Sequence, residues 1–131
     1  MSHSFQSEKD KRRHPRYRLR WPATLIINPA GENLVVEGRL HDLSIGGASL
    51  LCDLNIRTHD RVTLILRPPA LTAGEAPQIV TVHSNLVYTV HSSEHMCFRL
   101  GLQFVRFEMP GRHWLENRLV HHAPVYEKSP A

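Results

Sequence analysis

The sequence predicts an all-β fold, either an antiparallel sandwich or a small barrel, with one helix near the C-terminal end. Six short segments alternate between apolar and polar residues with a period of two, and they are rich in Val, Ile, Leu, Thr and Tyr. Turn-forming stretches such as "NPAGEN" at 28–33 and "RPPALTAGEAPQ" at 67–78 separate them. Because no helix-length segment interrupts the six, an antiparallel sheet is expected, and a closed barrel would leave it without exposed edges.

The six predicted strands follow one another through most of the chain. The first alternates through "YRLRWPATLIIN" until the turn at 28–33, and the second, "LVVEGRLHDL", resumes the pattern after it. The third, "GASLLC", and the fourth, "RVTLIL", are short apolar runs, whereas the last two, "QIVTVHSNLVYTV" and "MCFRLGLQFVRF", are longer. Their predicted limits are 17–28, 34–43, 47–52, 61–66, 78–90 and 96–107.

The pattern changes after residue 107. Pro110 is suited to the start of a helix because the N–H that it lacks would be unpaired there, and "GRHWLENRLVHH" follows with Trp114, Leu115, Arg118 and Leu119 at near-helical spacing. We expect this helix to pack on the sheet or on a partner. The predicted organisation is a flexible leader over 1–10, one domain with its terminal helix over 11–122, and a mobile tail over 123–131.

The basic residues are concentrated at the N-terminal end. The first 20 residues hold seven Lys and Arg against two carboxylates, whereas the remaining 111 hold nine basic and ten acidic side chains. This distribution favours a local anion site over a broad surface for long nucleic acid. The two cysteines form no disulfide framework, and the chain shows neither a signal peptide nor an apolar run of about 18 residues for membrane insertion. A cytoplasmic protein is expected.

The basic segment "KDKRRHPRYRLR" at 9–20 predicts an arm with several converging guanidinium groups. Arg12 and Arg16 lie four residues apart with Arg13 between them, and Pro15 disfavours a continuous helix. The planar fork of arginine can bind phosphate oxygens or the O6/N7 edge of guanine with two hydrogen bonds. The alternative from charge alone is a solvated basic leader without a ligand.

A second candidate stretch is "HDLSIGGASL" at 41–50. Asp42 and Ser44 are two residues apart and would point to the same side of a strand end. Gly46 and Gly47 permit positive φ and close approach of a ligand to the backbone. The alternative is an ordinary loop, in which Asp42 and Ser44 bond backbone N–H groups and the glycines only turn the chain.

The combination of Arg12-x-x-x-Arg16 with Asp42-x-Ser44-x-x-Gly47 resembles the paired motif of the PilZ domain family, bacterial receptors for cyclic di-GMP. "RLGLQFV" at 99–105 is similar to the Gly-x-x-Phe strand of that family. The resemblance runs from about residue 11 to 107. It implies a six-stranded antiparallel β-barrel with a C-terminal helix and a flexible N-terminal arm, and a cyclic di-GMP site formed by Lys11, Arg12, Arg13, Arg16, Asp42, Ser44, Gly46 and Gly47.

The resemblance also implies a division of roles within that site. Arg12, Arg13 and Arg16 would hold the phosphates and guanine, Asp42 and Ser44 would bind the guanine edge, and Gly47 would leave room. Lys11 matches members that bind a stacked ligand dimer, so two ligands per site are expected. Without a recognisable output domain the chain resembles stand-alone members, which act through an effector protein in motility, biofilm or virulence control.

Other functions are less favoured by the sequence. No histidine lies beside a carboxylate or cysteine at a metal-ligand spacing, so neither a metal nor another cofactor is expected. His41, Asp42 and Ser44 are sequence neighbours, which rarely form a catalytic triad, and no enzyme is expected. Two further alternatives stay open: a pilus or motility adaptor without a nucleotide, and a barrel that binds single-stranded nucleic acid. Three aromatic residues could stack on a ligand or pack in the core: Trp21, Phe98 and Trp114.

Overall fold

The computed structural model describes residues 14–28, 33–57 and 59–125, which form a closed barrel of six antiparallel strands. In this part of the chain, one helix, α1 (Gly111–Leu119), follows the last strand. The predicted all-β barrel with a C-terminal helix is confirmed, and the sandwich alternative is wrong. The strands are β1 (Pro22–Ile27), β2 (Leu34–Leu43), β3 (Gly47–Cys52), β4 (His59–Leu66), β5 (Val80–Ser92) and β6 (Cys97–Phe107).

The barrel closes through two pairings between strands that are distant in sequence. Its order is β1-β2-β3-β6-β5-β4, with β4 returning to pair with β1. The other distant pairing joins β3 to β6, and consecutive strands form the remaining contacts. Closure pairs both sides of every strand, and it therefore removes the exposed edges of an open sheet.

The period-two pattern places one apolar row of each strand inside the barrel. Fully buried leucines come from five of the six strands. Because this core fills the interior, polar side chains that alternate with these leucines lie on the outer face, where a ligand site can form. The five leucines with 0% exposure that represent these strands are Leu25, Leu40, Leu50, Leu64 and Leu100.

A bulge interrupts this alternation near the end of β2. Leu40 pairs with Leu50 on β3, and the next pair is Asp42 with Ser49, so His41 is an extra residue between them. Leu40 and His41 are consequently both buried although they are neighbours in sequence. The bulge resets which residues of β2 face outward, and Asp42 lies directly after it.

Four of the six strands have limits that differ from the predicted ones, namely β1, β4, β5 and β6. The first strand begins at Pro22 rather than at 17, because Tyr17 forms an isolated bridge with Leu43 instead of continuing β1. β5 extends to Ser92, two residues beyond its predicted end at residue 90. The helix begins at Gly111, one residue after Pro110.

The terminal helix packs on the barrel. Leu115 and Leu119 belong to the hydrophobic core. The buried guanidinium group of Arg118 lies 5.8 Å from the ring centre of Trp21 and 5.3 Å from that of Trp114. It also donates a hydrogen bond to the carbonyl oxygen of Pro69. Trp21 and Trp114 therefore take part in packing, with a cation held between their faces.

Candidate functional site

The described part of the basic arm lies beside the end of β2. The Tyr17 amide donates to the carbonyl oxygen of Leu43 over 2.8 Å, and the Leu43 amide donates to the carbonyl oxygen of Tyr17 over 2.9 Å. Such an exchange of two hydrogen bonds is the close pairing of antiparallel strands. These two hydrogen bonds hold the backbone of the arm beside the residues that precede Leu43.

Asp42 is the meeting point of the two candidate stretches. Its Oδ2 atom lies 3.6 Å from Nη1 of Arg16, and its Oδ1 atom accepts a 2.9 Å hydrogen bond from the Ser49 hydroxyl. Ser49 is the residue directly opposite Asp42 on β3. The side chain of Asp42 is 19% exposed and that of Arg16 is 47% exposed. The structure therefore brings Arg16 and Asp42 together at a surface that a ligand can reach.

Ser44 closes the turn between β2 and β3. Its Oγ atom accepts hydrogen bonds from the amides of Gly46 and Gly47 over 3.1 Å and 3.2 Å. This is the side-chain turn that the alternative interpretation of the stretch expected. Asp42 differs from that interpretation, because its hydrogen bond and ion pair are with side chains.

The two glycines of the turn have a different role from the one the sequence suggested. Gly74 is the only described glycine with positive φ, so neither Gly46 nor Gly47 uses a left-handed backbone. A Cβ on Gly47 would lie 2.5 Å from the carbonyl oxygen of Leu102 on β6, and that backbone cannot withdraw. Gly47 is thus required by the close approach of β6. A Cβ on Gly46 would lie 3.0 Å from the His14 ring.

The remaining predicted site residues lie outside the described ranges: Lys11, Arg12 and Arg13. Two residues that the sequence reasoning missed lie at the site instead. Ser49 holds the Asp42 carboxylate, and His14 packs against the turn at Gly46. The pairing of Asp42 with Ser49 has a weak sequence signal, since a strand pair joined by a short turn places such residues opposite each other.

The bulge residue His41 lies beside the carboxylate of Asp42. It is 8% exposed, its ring meets the edge of the His95 ring with 5.2 Å between centres, and its Nδ1 atom has no partner among the described residues. Burial lowers the pKa of His41; Asp42 opposes this, and the positive charges of Arg18 and Arg99 add to it. The lowered pKa favours the neutral imidazole in the folded protein.

The arrangement offers complementary chemistry to a ligand that carries both anionic and donor groups. The guanidinium group of Arg16 presents N–H donors with a positive charge, and the Asp42 carboxylate presents acceptors next to it. Their ion pair is partly exposed and contributes at most about 1 kcal/mol of stability. A ligand that binds both Arg16 and Asp42 can therefore replace their ion pair at little cost in stability.

The described residues also bear on two other features, a metal site and a membrane-spanning helix. Within 14–28, 33–57 and 59–125 no group of three His, Cys, Asp or Glu side chains is placed to hold a metal ion. The one helix of this part of the chain, with nine residues, is too short to cross a membrane.

Comparisons with known proteins agree with the sequence resemblance. The model of the PilZ domain family matches residues 10–121. No curated protein matches the chain. Among solved structures, the fold is similar to the inhibitor of motility MotI/DgrA of Bacillus subtilis, with a TM-score of 0.67 and 12% identity over 84% of this chain and 50% of that one. It is also similar to the PilZ domain with c-di-GMP of YcgR from Escherichia coli, with a TM-score of 0.57 and 16% identity over 86% and 91% of the two chains.

A third similar structure is the MrkH–c-di-GMP complex of K. pneumonia. Its TM-score is 0.50, with 20% identity over 84% of this chain and 50% of that chain. The present chain thus spans half the length of both MotI/DgrA and MrkH. At these identities the likeness shows a shared fold alone.

The neutral state of His41 predicts that the folded protein loses stability in mild acid. The unfolded chain has the ordinary histidine pKa of 6.5 and takes up a proton below it, whereas the folded pKa of His41 is lower. The free energy of unfolding should therefore fall as the pH drops below about 6.5, and His122, whose pKa burial also lowers, should add to this fall.

Urea unfolding at pH 7.5 and 5.5 would measure this effect. The His41→Phe variant should lose less stability between the two pH values than the wild type does. His113→Phe, on the exposed side of α1, is the matched control because it leaves both His41 and His122 in place. An equal loss in the wild type and in His41→Phe would contradict the argument.

Proposed function

Since the chain belongs to the PilZ domain family, we propose that it is a receptor for cyclic di-GMP rather than an enzyme. The observation that carries this proposal is the contact of Arg16 with Asp42, one residue from each half of the paired motif. The similar YcgR and MrkH structures contain c-di-GMP, and this supports the choice of ligand.

The chemistry of cyclic di-GMP suits an exchange at this contact. The guanidinium group of Arg16 can donate hydrogen bonds to a phosphate. The Asp42 carboxylate can accept hydrogen bonds from the N1–H and N2–H₂ groups of guanine. Ser49 keeps one oxygen of that carboxylate in place, so the other oxygen faces the arm and the incoming base. Arg16 thus exchanges a carboxylate for a phosphate. Asp42 exchanges the N–H donors of a guanidinium group for the N–H donors of guanine.

The other basic residues of the arm complete the proposed site. Arg12 and Arg13 precede Arg16 by a few residues, so they reach the same ligand and share its two phosphates. Lys11 supplies a further cation, and we propose two stacked ligands per site on this basis. Ser44 and Gly46 act through the turn that they form, and Gly47 acts by letting β3 approach β6.

The proposed output is a change of contact with an effector protein. The arm is held at Tyr17 by two backbone hydrogen bonds, and the ligand gives Arg16, directly before this point, a new partner in place of Asp42. This exchange of partners changes the surface beside the turn of residues 44–47. The similarity to an inhibitor of motility favours an effector in motility control.

The Arg16→Ala variant should bind cyclic di-GMP about ten- to a hundredfold more weakly than the wild type. The reason is the loss of a charge-assisted hydrogen bond, worth about 1.5–3 kcal/mol. Isothermal titration calorimetry measures the affinity and also the number of ligands per chain, expected to be two. Arg112→Ala is the matched control, since Arg112 lies on α1 and pairs with Glu116. Equal affinity in both variants would exclude the proposed contact, and no binding by the wild type would favour the adaptor function.

The Asp42→Ala variant should lose guanine selectivity more than general phosphate attraction. The wild type should prefer cyclic di-GMP to cyclic di-AMP because adenine presents no N1–H donor to a carboxylate. In the variant the affinities for the two dinucleotides should approach each other. Competition titrations with both ligands measure this ratio, and thermal unfolding monitors the fold. If the ratio stays unchanged while the melting temperature falls, Asp42 has only a structural role.

The wild-type protein, immobilised at its C-terminal end, should retain a cellular protein in a ligand-dependent way. Quantitative mass spectrometry would compare the captured proteins with and without cyclic di-GMP. Arg16→Ala is the decisive control, because it should remove the ligand dependence and leave unspecific capture. A set of captured proteins that does not respond to the ligand would contradict an output through an effector.

A further inference from the structure

The basic arm turns its arginines to the solvent in alternate positions. Leu19 and Trp21 belong to the hydrophobic core, whereas Arg18 and Arg20 are exposed. Successive side chains of an extended chain point to opposite sides. The arm therefore packs on the barrel through its apolar side and carries a row of guanidinium groups on its outer side. The row starts at Arg16, beside the candidate site, and leads away from it.

Two further arginines flank Pro22, the first residue of β1. Pro22 pairs with Arg39 on β2, and its carbonyl oxygen accepts a 3.1 Å hydrogen bond from the amide of Arg67, directly after β4. Each of these arginines is next to a fully buried leucine, Leu40 or Leu66, so both arginines face outward. Because neighbouring strands lie about 4.8 Å apart, the backbones of Arg39 and Arg67 are ~10 Å apart.

Arg20 lies on the same outer side, two residues before Pro22. Since Pro22 is directly opposite Arg39, Arg20 and Arg39 are diagonal neighbours, a relation that corresponds to about 7–8 Å between adjacent strands. Long side chains at this separation can contact one ligand. We refer to the four residues of this surface together as the arginine patch: Arg18, Arg20, Arg39 and Arg67.

The patch has an excess of positive charge. The described residues of the arm, β1 and β2 include two carboxylates, Glu37 and Asp42, and Asp42 is paired with Arg16. Glu37 accepts a 2.9 Å hydrogen bond from the Thr24 hydroxyl, whose oxygen in turn accepts one from Nη1 of Arg67. This bond uses one of the five N–H donors of Arg67 and holds its guanidinium group on the barrel. Glu37 thus offsets one of the four charges of the patch, and the excess is left for a partner.

We propose that the arginine patch is a docking surface for an acidic segment of a partner protein. A guanidinium group holds a carboxylate with two parallel hydrogen bonds and keeps its charge at physiological pH. An extended segment carries the side chains of one side about 6.6 Å apart, which is close to the spacing of the arginines across the strands. Alternating Asp or Glu residues therefore fit the patch. No nucleotide takes part in this contact, so the inference goes beyond the proposed function.

The aromatic residues of the same segment argue against a nucleic acid as the partner. A surface for single-stranded DNA or RNA combines cations with exposed aromatic rings on which the bases stack. Trp21 is 4% exposed, and Tyr17 is packed against the hydrophobic core. Pro22, at the centre of the patch, has no aromatic ring. The patch thus offers charge without stacking, which suits a row of carboxylates.

The backbone fixes the position of the patch. The amide of Leu40 donates a 2.9 Å hydrogen bond to the carbonyl oxygen of Trp21, which continues the pairing of β1 with β2 into the arm. β1 pairs with β4 on its other side. The arginines of the patch are therefore carried by paired chain segments, and their backbones need no ordering when a partner binds.

The test is the binding of hexaglutamate, labelled with fluorescein at its N-terminus and amidated at its C-terminus, in the absence of any nucleotide. Fluorescence anisotropy at low ionic strength measures its affinity for the wild type and for the double variant Arg20→Gln/Arg39→Gln. The affinity should fall about tenfold in this variant, since two exposed ion pairs are lost.

The double variant Arg61→Gln/Arg106→Gln is the matched control. It removes the same net charge from two other exposed arginines, one near the start of β4 and one on β6, which lies three strands away from β1 in the barrel. It should bind hexaglutamate within about twofold of the wild type. Thermal unfolding of both double variants monitors the fold.

Each outcome decides the inference. Equal losses in the two double variants would show a general attraction to a basic protein and overturn it, and so would a wild type that leaves hexaglutamate unbound. A labelled thymidine hexanucleotide is the competing probe. If it binds more tightly than hexaglutamate and loses affinity in Arg20→Gln/Arg39→Gln, the patch serves a nucleic acid instead. None of these results depends on cyclic di-GMP, so a failure here leaves the proposed function untouched.

A measurement on the wild type covers the case in which the double variant does not fold. In protein labelled with ¹⁵N at arginine, the Nε–Hε signals report on the individual guanidinium groups. Addition of hexaglutamate at pH 6 should shift the signals of Arg20, Arg39 and Arg67, whereas those of Arg61 and Arg106 should stay in place. Shifts of equal size at all five arginines would refute the docking surface.

Discussion

The two hydrogen bonds between Tyr17 and Leu43 decide where the basic arm lies, and the candidate site depends on them. Charge attraction alone would not give this position, because the Arg16–Asp42 pair is partly exposed and weak. The backbone bridge places Arg16 next to Asp42 whatever the state of the ion pair. The site is thus built on the antiparallel pairing of two chain segments, and the charged side chains are free to exchange partners.

The second constraint is the bulge at His41. It inserts one residue into β2, leaves the His41 side chain buried and places Asp42 opposite Ser49. Ser49 then orients the carboxylate while Ser44, on the other side of Asp42, closes the turn with the amides of two glycines. Ser44 thus shapes the backbone of the turn, whereas Asp42 carries a carboxylate at the surface.

The sequence predicted the strands, the helix and the meeting of Arg16 with Asp42, because each rests on local periodicity or on a spaced motif. It did not predict features that depend on contacts between distant strands. Gly47 is required by the carbonyl group of Leu102, and Gly101 makes room for the ring of Tyr88; both contacts exist only once β6 has its partners. The start of β1 was misplaced for a related reason, since the residues around Tyr17 alternate like a strand but pair elsewhere.

One feature of the arm links the two ends of the domain. The carbonyl oxygen of Arg16 accepts a 2.6 Å hydrogen bond from the amide of Val125, and the ring of His122 meets the edge of Trp21 with 6.3 Å between centres. The segment after α1 therefore contacts the arm at Arg16 and the chain just beyond the arm at Trp21. A movement of the Arg16 main chain would break the bond to Val125 or move that residue with it, whereas a change of partner by the guanidinium group alone would leave the bond in place. The main-chain position of Arg16, and with it the geometry beside Asp42, therefore depends on the segment after α1 as well as on β2.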